Sequence, residues 1–478
     1  MRSKLTFFIS FMLLHGCLLA YQNGEKPDSL VRQNWVLDLV QGAVISTDDK
    51  LPFWLRANQS QRLTRSSSVY TGLFLKKAAS KGRELNYFGG VELFNQLRDQ
   101  AYGSVIQAYG GITYDRIKLT AGLQEEVFGV NDSTLSIGNL FYGNNARPVP
   151  KIRLETNGWV GVPLLSKNFS FKAYLAHGWL EHNRFQSGAF LHQKYLYLRS
   201  QFLNKRATIT VGLNHAAQWG GRNETNESSQ PTGFRNYLRI FTGSAGGGDA
   251  LETDQGNALG NHLGSYDLRA SYDLGPFIAS SYFQFIWEDR SGLTPFNWRD
   301  GMVGLSLRQK NDAFPISGLN VEIIRTNHQD GEKTRRDGTS VVEPDNFLNN
   351  SVYGSGWTFQ NQIMGNPMFL LLNDAALGRE RIKNMVNGLN VSIDGNVNKR
   401  IHYKLAYYWF KNQGTYRERF DPHFFVHSYM ATTKMALKNG NLSITGIFQE
   451  GNLLGRNVAI NVAYSTRLFS FSKPNPAP

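Results

Sequence analysis

The sequence predicts an all-β fold, a transmembrane antiparallel β-barrel of the outer-membrane type. Three observations predict it: an N-terminal export signal, side-chain alternation at period two along many short segments, and hairpins that are short at one end and long at the other. Each constrains a different level of the structure.

The export signal comes first in the chain. Arg2 and Lys4 precede an apolar run from Leu5 to Leu14, the charged-then-hydrophobic order of a secretory signal peptide. Cleavage is expected near Ala20, with Leu14-His15-Gly16-Cys17 as an alternative, lipoprotein-type site at which Cys17 would be acylated. Cys17 is the only cysteine of 478 residues, so the mature chain forms no internal disulfide. No later stretch reaches the ~18 consecutive apolar residues of a membrane-spanning helix, which excludes a helical membrane protein. A barrel, by contrast, alternates lipid-facing and lumen-facing residues, and so tolerates a mean hydropathy of −0.36 in a chain with 31 Phe, 21 Tyr and 9 Trp.

Alternation follows. Ile117, Leu119, Ala121 and Leu123 oppose Lys118, Thr120 and Gly122, and Ala207, Ile209, Val211 and Leu213 oppose Thr208, Thr210 and Gly212. Phe169, Phe171, Ala173 and Leu175 repeat the pattern, as do Ile401, Tyr403, Leu405, Tyr407 and Trp409, and Val458, Ile460, Val462 and Tyr464. Such runs are half-buried strands rather than amphipathic helices. Asn439-Gly440 between alternating runs is a hairpin turn, because Asn and Gly tolerate the positive φ it needs. Asp115-Arg116, Asn204-Lys205 and Asn398-Lys399 occupy similar places, while long polar connections are expected over 214–232, 243–264 and 327–350. No repeat of ~40–50 residues suggests a propeller. The expected organisation is a signal peptide over 1–20, an N-terminal lead over 21–50, the barrel over 51–471 and a tail over 472–478. The three prolines of the tail cannot extend a ladder, so Phe469 and Phe471 would supply the aromatic end that outer-membrane barrels commonly have.

Lys and Arg total 51 against 37 Asp and Glu, a net charge of +14. A basic exported protein favours anionic partners. Export excludes nucleic acid, and leaves acidic glycan or the phosphates of outer-membrane lipid and lipopolysaccharide. The chemistry-bearing motifs are few. His423-x-x-x-His427 places two imidazoles on one strand face without a third ligand, so neither metal nor cofactor is expected. The segment from Gly212 to Gln218 resembles the active-site stretch of outer-membrane phospholipase A, but Ala217 stands where that family has its nucleophilic Ser, and His215 has no hydroxyl to deprotonate. Trp219 with His215, Gln218 and Arg222 combines a stacking ring with polar groups suited to a sugar, although an interfacial tryptophan with a polar rim reads the same way. Asn144, Asn145, Arg147 and Lys151 offer amides and cations on a proline-stiffened segment that otherwise reads as a solvated loop.

Phrases spread along the chain resemble the Wzi family of capsule-assembly proteins in its Bacteroidetes-type form. They are Leu51-Pro52-Phe53-Trp54-Leu55-Arg56-Ala57-Asn58-Gln59, Gly138-Asn139-Leu140-Phe141-Tyr142 with Pro150-Lys151-Ile152, His192-Gln193-Lys194, and Asn214-His215 through Trp219-Gly220. Trp287-Glu288-Asp289-Arg290-Ser291-Gly292, Asp300-Gly301, Asp345-Asn346-Phe347, Gly356-Trp357-Thr358 and Asn412-Gln413-Gly414-Thr415-Tyr416 follow in order. The resemblance implies a barrel of about eighteen strands that binds acidic capsular or exopolysaccharide at the cell surface and assists capsule assembly without catalysis. It carries over no glycan-binding residues and allows a monomer. A porin-like channel is the alternative function, and a phospholipase-like hydrolase the third.

Overall fold

Period-two alternation resolves into one antiparallel sheet that closes on itself. The computed structural model describes residues 35–471 except 65, 163–166, 224–226, 289–298, 312–314, 330–331, 335–339, 343–344 and 375–376. The signal segment with Cys17, the phrase over 289–292 and the tail from 472 lie outside the described residues. The sheet has nineteen strand segments, of which Lys151–Thr156 and Val160–Gly161 both lie against Phe169–Trp179, so the ring has eighteen staves. It closes where Trp35–Ser46 pairs with Asn457–Phe471. Closure pairs the sheet edges that would otherwise expose unsatisfied backbone to hydrocarbon.

The two ends of the barrel differ as the hairpins suggested. At one end Tyr114 passes to Ile117, Asn398 to Ile401 and Leu437 to Gly440 through two-residue turns. Asp115, Asn204 and Lys205 take left-handed backbone there, with φ of 48°, 54° and 67°. At the other end lie the connections 47–67, 124–150, 220–260 and 326–385. Short turns mark the periplasmic end of such barrels, so the long connections are extracellular.

Two expected boundaries are corrected. The first stave, Trp35–Ser46, lies inside the stretch expected as a lead before residue 51. Its inward face carries Val36, Val40 and Val44 beside the single charged Asp38, because Val44 and Val40 pack on an apolar filling of the lumen, and alternation is thereby masked. The connection expected from 214 begins instead at Gly220, since Ala207–Trp219 continues as strand to the rim.

Two cross-strand contacts help explain the 47 glycines. A Cβ on Gly212 would lie 2.1 Å from the Tyr197 ring, and one on Gly304 would lie 2.1 Å from the Tyr282 ring. Each tyrosine lies across the glycine it pairs with, and its hydroxyl donates to a buried carboxylate, Asp267 at 2.6 Å or Glu322 at 2.7 Å. An aromatic covering a cross-strand glycine holds the register of the sheet.

The extracellular connections 47–67, 124–150 and 345–385 fold inward and fill the lumen. Leu55, Phe141, Phe347, Trp357 and Phe369 form one buried apolar cluster with inward wall residues such as Tyr282, Ile324 and Phe410. Polar wall side chains bind the backbone of this plug. Glu322 accepts from the amide of Ile137 (2.9 Å), Gln284 from Leu140 (2.6 Å) and Gln449 from Phe53 (2.7 Å), while Asn390 donates to the carbonyl of Leu135 (2.8 Å). Irregular backbone inside a barrel must have its polar groups satisfied, and the wall does this.

Candidate functional site

Among the described residues, two cavities lie beside the plug in the half of the lumen nearer the short turns. The larger, of about 580 Å³, is lined by wall residues Asp38, Lys76, Lys404, Lys434, Asn461 and Arg467 and roofed by plug residues that include Trp54 and Asn58. Trp54 lies in the four-residue helix Phe53–Arg56, anchored at its first amide by Gln449. The indole stacks on Tyr408 of the wall with ring centroids 4.2 Å apart, and its N–H has no hydrogen-bond partner among the described residues. Asp38 is held between Lys76 (2.9 Å) and Arg467 (3.2 Å), Lys404 donates to the carbonyl of Thr134 (3.0 Å), and Arg62 lies between Glu92 (2.6 Å) and Glu125 (2.5 Å). Aromatic faces among amides, hydroxyls and both signs of charge suit a sugar, whose ring has apolar faces and a hydroxylated rim.

The smaller cavity, of about 320 Å³, is lined by Trp159, Tyr195, Tyr197, Thr208, Thr210 and Ser271 together with Lys172, Arg199 and Arg269. No carboxylate is among its described lining residues. Arg199 lies over the Trp159 ring at 4.3 Å and donates Nε to Ser170 at 3.0 Å. Arg269 is spent on the carbonyls of Val130 and Asn131, at 2.7 and 3.1 Å. Three cations without a lining carboxylate form a field for an anion.

Asn144 and Asn145 belong to the plug: the Asn144 carbonyl accepts from the Ser60 amide (2.7 Å), and the Asn145 side chain donates to the Ile363 carbonyl (3.0 Å). Arg147 is half-buried, and its Nε and Nη2 have no partner among the described residues. Lys151 is fully engaged, bonded to Glu126, Tyr142 (2.9 Å) and Gln193 (2.7 Å). Arg153 approaches the other oxygen of Glu126 at 2.8 Å. Burial alone would push the Glu126 pKa up, but Lys151 and Arg153 hold it down at about 2.

His215, Gln218 and Trp219 are not brought together. Consecutive strand residues point to opposite faces, so Gln218 enters the lumen and donates to the Gly356 carbonyl (3.1 Å), while His215 and Trp219 face outward. His215 is hydrogen-bonded to His262 at 2.7 Å and stacks on Trp287 with centroids 5.9 Å apart. Trp219 packs with Ala217, Ile240 and Leu259 in a cluster separate from the lumen core. Arg222 is exposed at the rim, 3.7 Å from Glu227. Of the paired histidines, His427 bonds the Tyr407 hydroxyl at 2.9 Å.

The cavity residues were missed by reading along the sequence, because Trp54, Tyr408 and Arg467 come together only when the ring closes. Trp54 and Asn58 carried a signal, as part of a phrase quoted for the family resemblance.

The outer-membrane protein Wzi of Escherichia coli, described as involved in group 1 capsule assembly and as a carbohydrate-binding β-barrel, superposes with a TM-score of 0.60 at 13% identity, over 91% of this chain and 85% of that one. Pseudomonas aeruginosa OccK5 superposes with a TM-score of 0.47 at 11% identity, over 92% of this chain and 100% of that one. Acinetobacter baumannii OccAB4 gives 0.46 at 11% identity, over 93% and 100%. No curated protein sequence matches the chain significantly. The family model described as "Capsule assembly protein Wzi" matches residues 43–394, most of the barrel and all three plug segments. The chain therefore belongs to the Wzi family of capsule assembly proteins, and its closed eighteen-stave ring is a bacterial outer-membrane barrel.

Proposed function

We propose that this protein binds an acidic capsular or exopolysaccharide at the outer membrane and assists its assembly at the cell surface, without catalysing a reaction. The observation that carries the reading is the pair of lumen cavities. One joins the Trp54–Tyr408 stack to amides and cations, and the other holds Lys172, Arg199 and Arg269 beside Trp159 with no lining carboxylate. Stacking holds the apolar face of a pyranose, and the cations select carboxylated or phosphorylated units. Family membership supports the role in capsule assembly, as does the carbohydrate binding attributed to the Escherichia coli protein. A filled lumen favours holding a glycan over steady conduction, which a porin-like function would require. Ala217, buried and without a hydroxyl, supports a non-catalytic reading.

The test is titration of the refolded protein with oligosaccharides cut from the polysaccharide of its own cell, native and carboxyl-reduced. Binding of the native form, weakened by carboxyl reduction and by Trp54→Ala, is expected. Equal affinity for native and reduced forms would remove the acidic ligand. Unchanged retained and released polysaccharide on deleting the protein would remove the assembly role.

A further inference from the structure

The outer surface of the barrel carries a second feature, on the opposite side of the wall from the cavities. Along Ala207–Trp219 the outward residues Ile209, Val211 and Leu213 are exposed, but the next three on that face, His215, Ala217 and Trp219, are buried. On Phe190–Phe202 the same change separates exposed Leu198 and Leu196 from buried His192. What covers them is the extracellular connection, through the helix Phe234–Thr242. Ile240 packs on Ala217 and Trp219, and the rings of Tyr237 and Phe241 lie 5.5 and 5.6 Å from that of His192. Lys194, between His192 and Leu196 on the outward face, lies over the Phe241 ring at 4.0 Å and donates to that residue's carbonyl at the helix end. The helix thus lies outside the barrel, immediately above the exposed apolar band.

Its other face is not polar. Phe234, Leu238 and Phe241, spaced one turn apart, are 74%, 47% and 37% exposed. Nothing in the helix is acidic, and Arg235 is exposed beside the stripe. Facing water, three large apolar side chains in a row would be a liability. Here the stripe continues a lipid-facing column: Leu198, Leu196 and Lys194 lead along one strand face directly to Phe241.

We propose that Phe234–Thr242 is an interfacial anchor, lying in the outer leaflet with Phe234, Leu238 and Phe241 among the acyl chains and Arg235 at the anionic headgroups. An amphipathic helix with cations at its polar boundary binds a membrane surface in this way. The inference needs only that the barrel spans the membrane, and is independent of the glycan reading.

With Cys17 replaced by Ser so that an introduced thiol is unique, a nitroxide is placed by Leu238→Cys, by Leu196→Cys as a hydrocarbon reference and by Glu227→Cys as an aqueous one. Each protein is reconstituted in vesicles containing anionic lipid, and folding is checked by heat-modifiable electrophoretic mobility. The oxygen-to-nickel-chelate accessibility ratio at 238 is expected to shift to that of the 196 label. A ratio equal to that of the 227 label overturns the proposal in favour of an aqueous helix. Spectral broadening at 238 that disappears on dilution with unlabelled protein overturns it in favour of a second copy seated on the stripe. A Phe234→Trp variant gives a second reading: quenching of the added fluorescence by lipids brominated near the headgroup is expected, and quenching only by aqueous iodide argues against the anchor.

Discussion

Replacing Glu126 by Gln keeps the shape of a buried side chain and removes its charge. Glu126 neutralises Lys151 and Arg153, whose side chains are only 1% and 5% exposed, and accepts the Tyr174 hydroxyl at 2.6 Å. Breaking a buried pair by removing one partner costs roughly 3–5 kcal/mol, since the remaining charge stays desolvated. A second route gives a similar size. The carboxyl is lowered from its ordinary 4.5 to about 2, and at about 1.4 kcal/mol per pKa unit this is about 3 kcal/mol of linkage. The sign follows from the direction. A carboxyl with a lowered folded pKa contributes fully above about pH 4.5 and loses that contribution as pH falls towards 2. Urea unfolding of wild type and Glu126→Gln in lipid vesicles, followed by tryptophan fluorescence, should show a gap of about 3 kcal/mol at pH 7 that closes as pH falls towards 2. A gap that is absent, or the same at both pH values, would refute the reasoning.

Trp357 is fully buried in the plug, and its indole donates to the Phe141 carbonyl at 2.6 Å, so Trp357→Ala should loosen the plug by roughly 3–5 kcal/mol. Planar-bilayer recordings are expected to show a quiet wild type and intermittent openings in the variant; steady conductance through wild type would contradict a filled lumen. Gly212→Ala should destabilise the barrel by about 1–3 kcal/mol by displacing the Tyr197 ring, whereas Gly446→Ala, where an added Cβ meets nothing within 4 Å, should cost less in the same urea titration. Arg199→Ala is expected to weaken acidic-oligosaccharide binding roughly tenfold, the size of one charge-assisted hydrogen bond, and to flatten its salt dependence. An unchanged salt slope would place the anion elsewhere.

Strand parity was the most legible part of the structure. The alternating runs at Ile117–Leu123 and in Ile401–Gly414 are staves, and the two-residue turns lie beside or at the expected Asn and Asp positions. Parity also contains a fact that grouping by proximity in sequence hides: Gln218 and Trp219 are neighbours in the chain and point to opposite sides of the barrel wall, one into the plug and the other under the outer helix. The plug was far less legible. Its apolar residues, such as Phe347, Trp357 and Phe369, are aperiodic and set among Asn, Gly and Pro, so they read as loop. Only the wall, with side chains such as Glu322, Gln284 and Asn390 placed to receive that backbone, makes them a core. The same long-range dependence hid the helix outside the barrel, whose stripe of Phe234, Leu238 and Phe241 gains meaning from strands far from it in the ring.

The filling of the lumen constrains how a barrel of this kind can serve a polymer. Threading a glycan from end to end would require expelling a core that includes Trp357, Phe141 and Phe369, all almost fully buried, and unmaking the wall-to-plug bonds at Ile137, Leu140 and Phe53. Each fully buried apolar side chain forfeits roughly 1.5–3 kcal/mol on exposure, so a few of them outweigh the contacts of several sugar units. The cavities below the plug need no such cost, because their cations and rings already line open space. A protein built this way gains by gripping a polymer rather than by passing it. On the proposed function, the positive field and the stacked rings set which polymer is held, while the sheet and, on the anchor proposal, the helix outside it fix the barrel in the membrane.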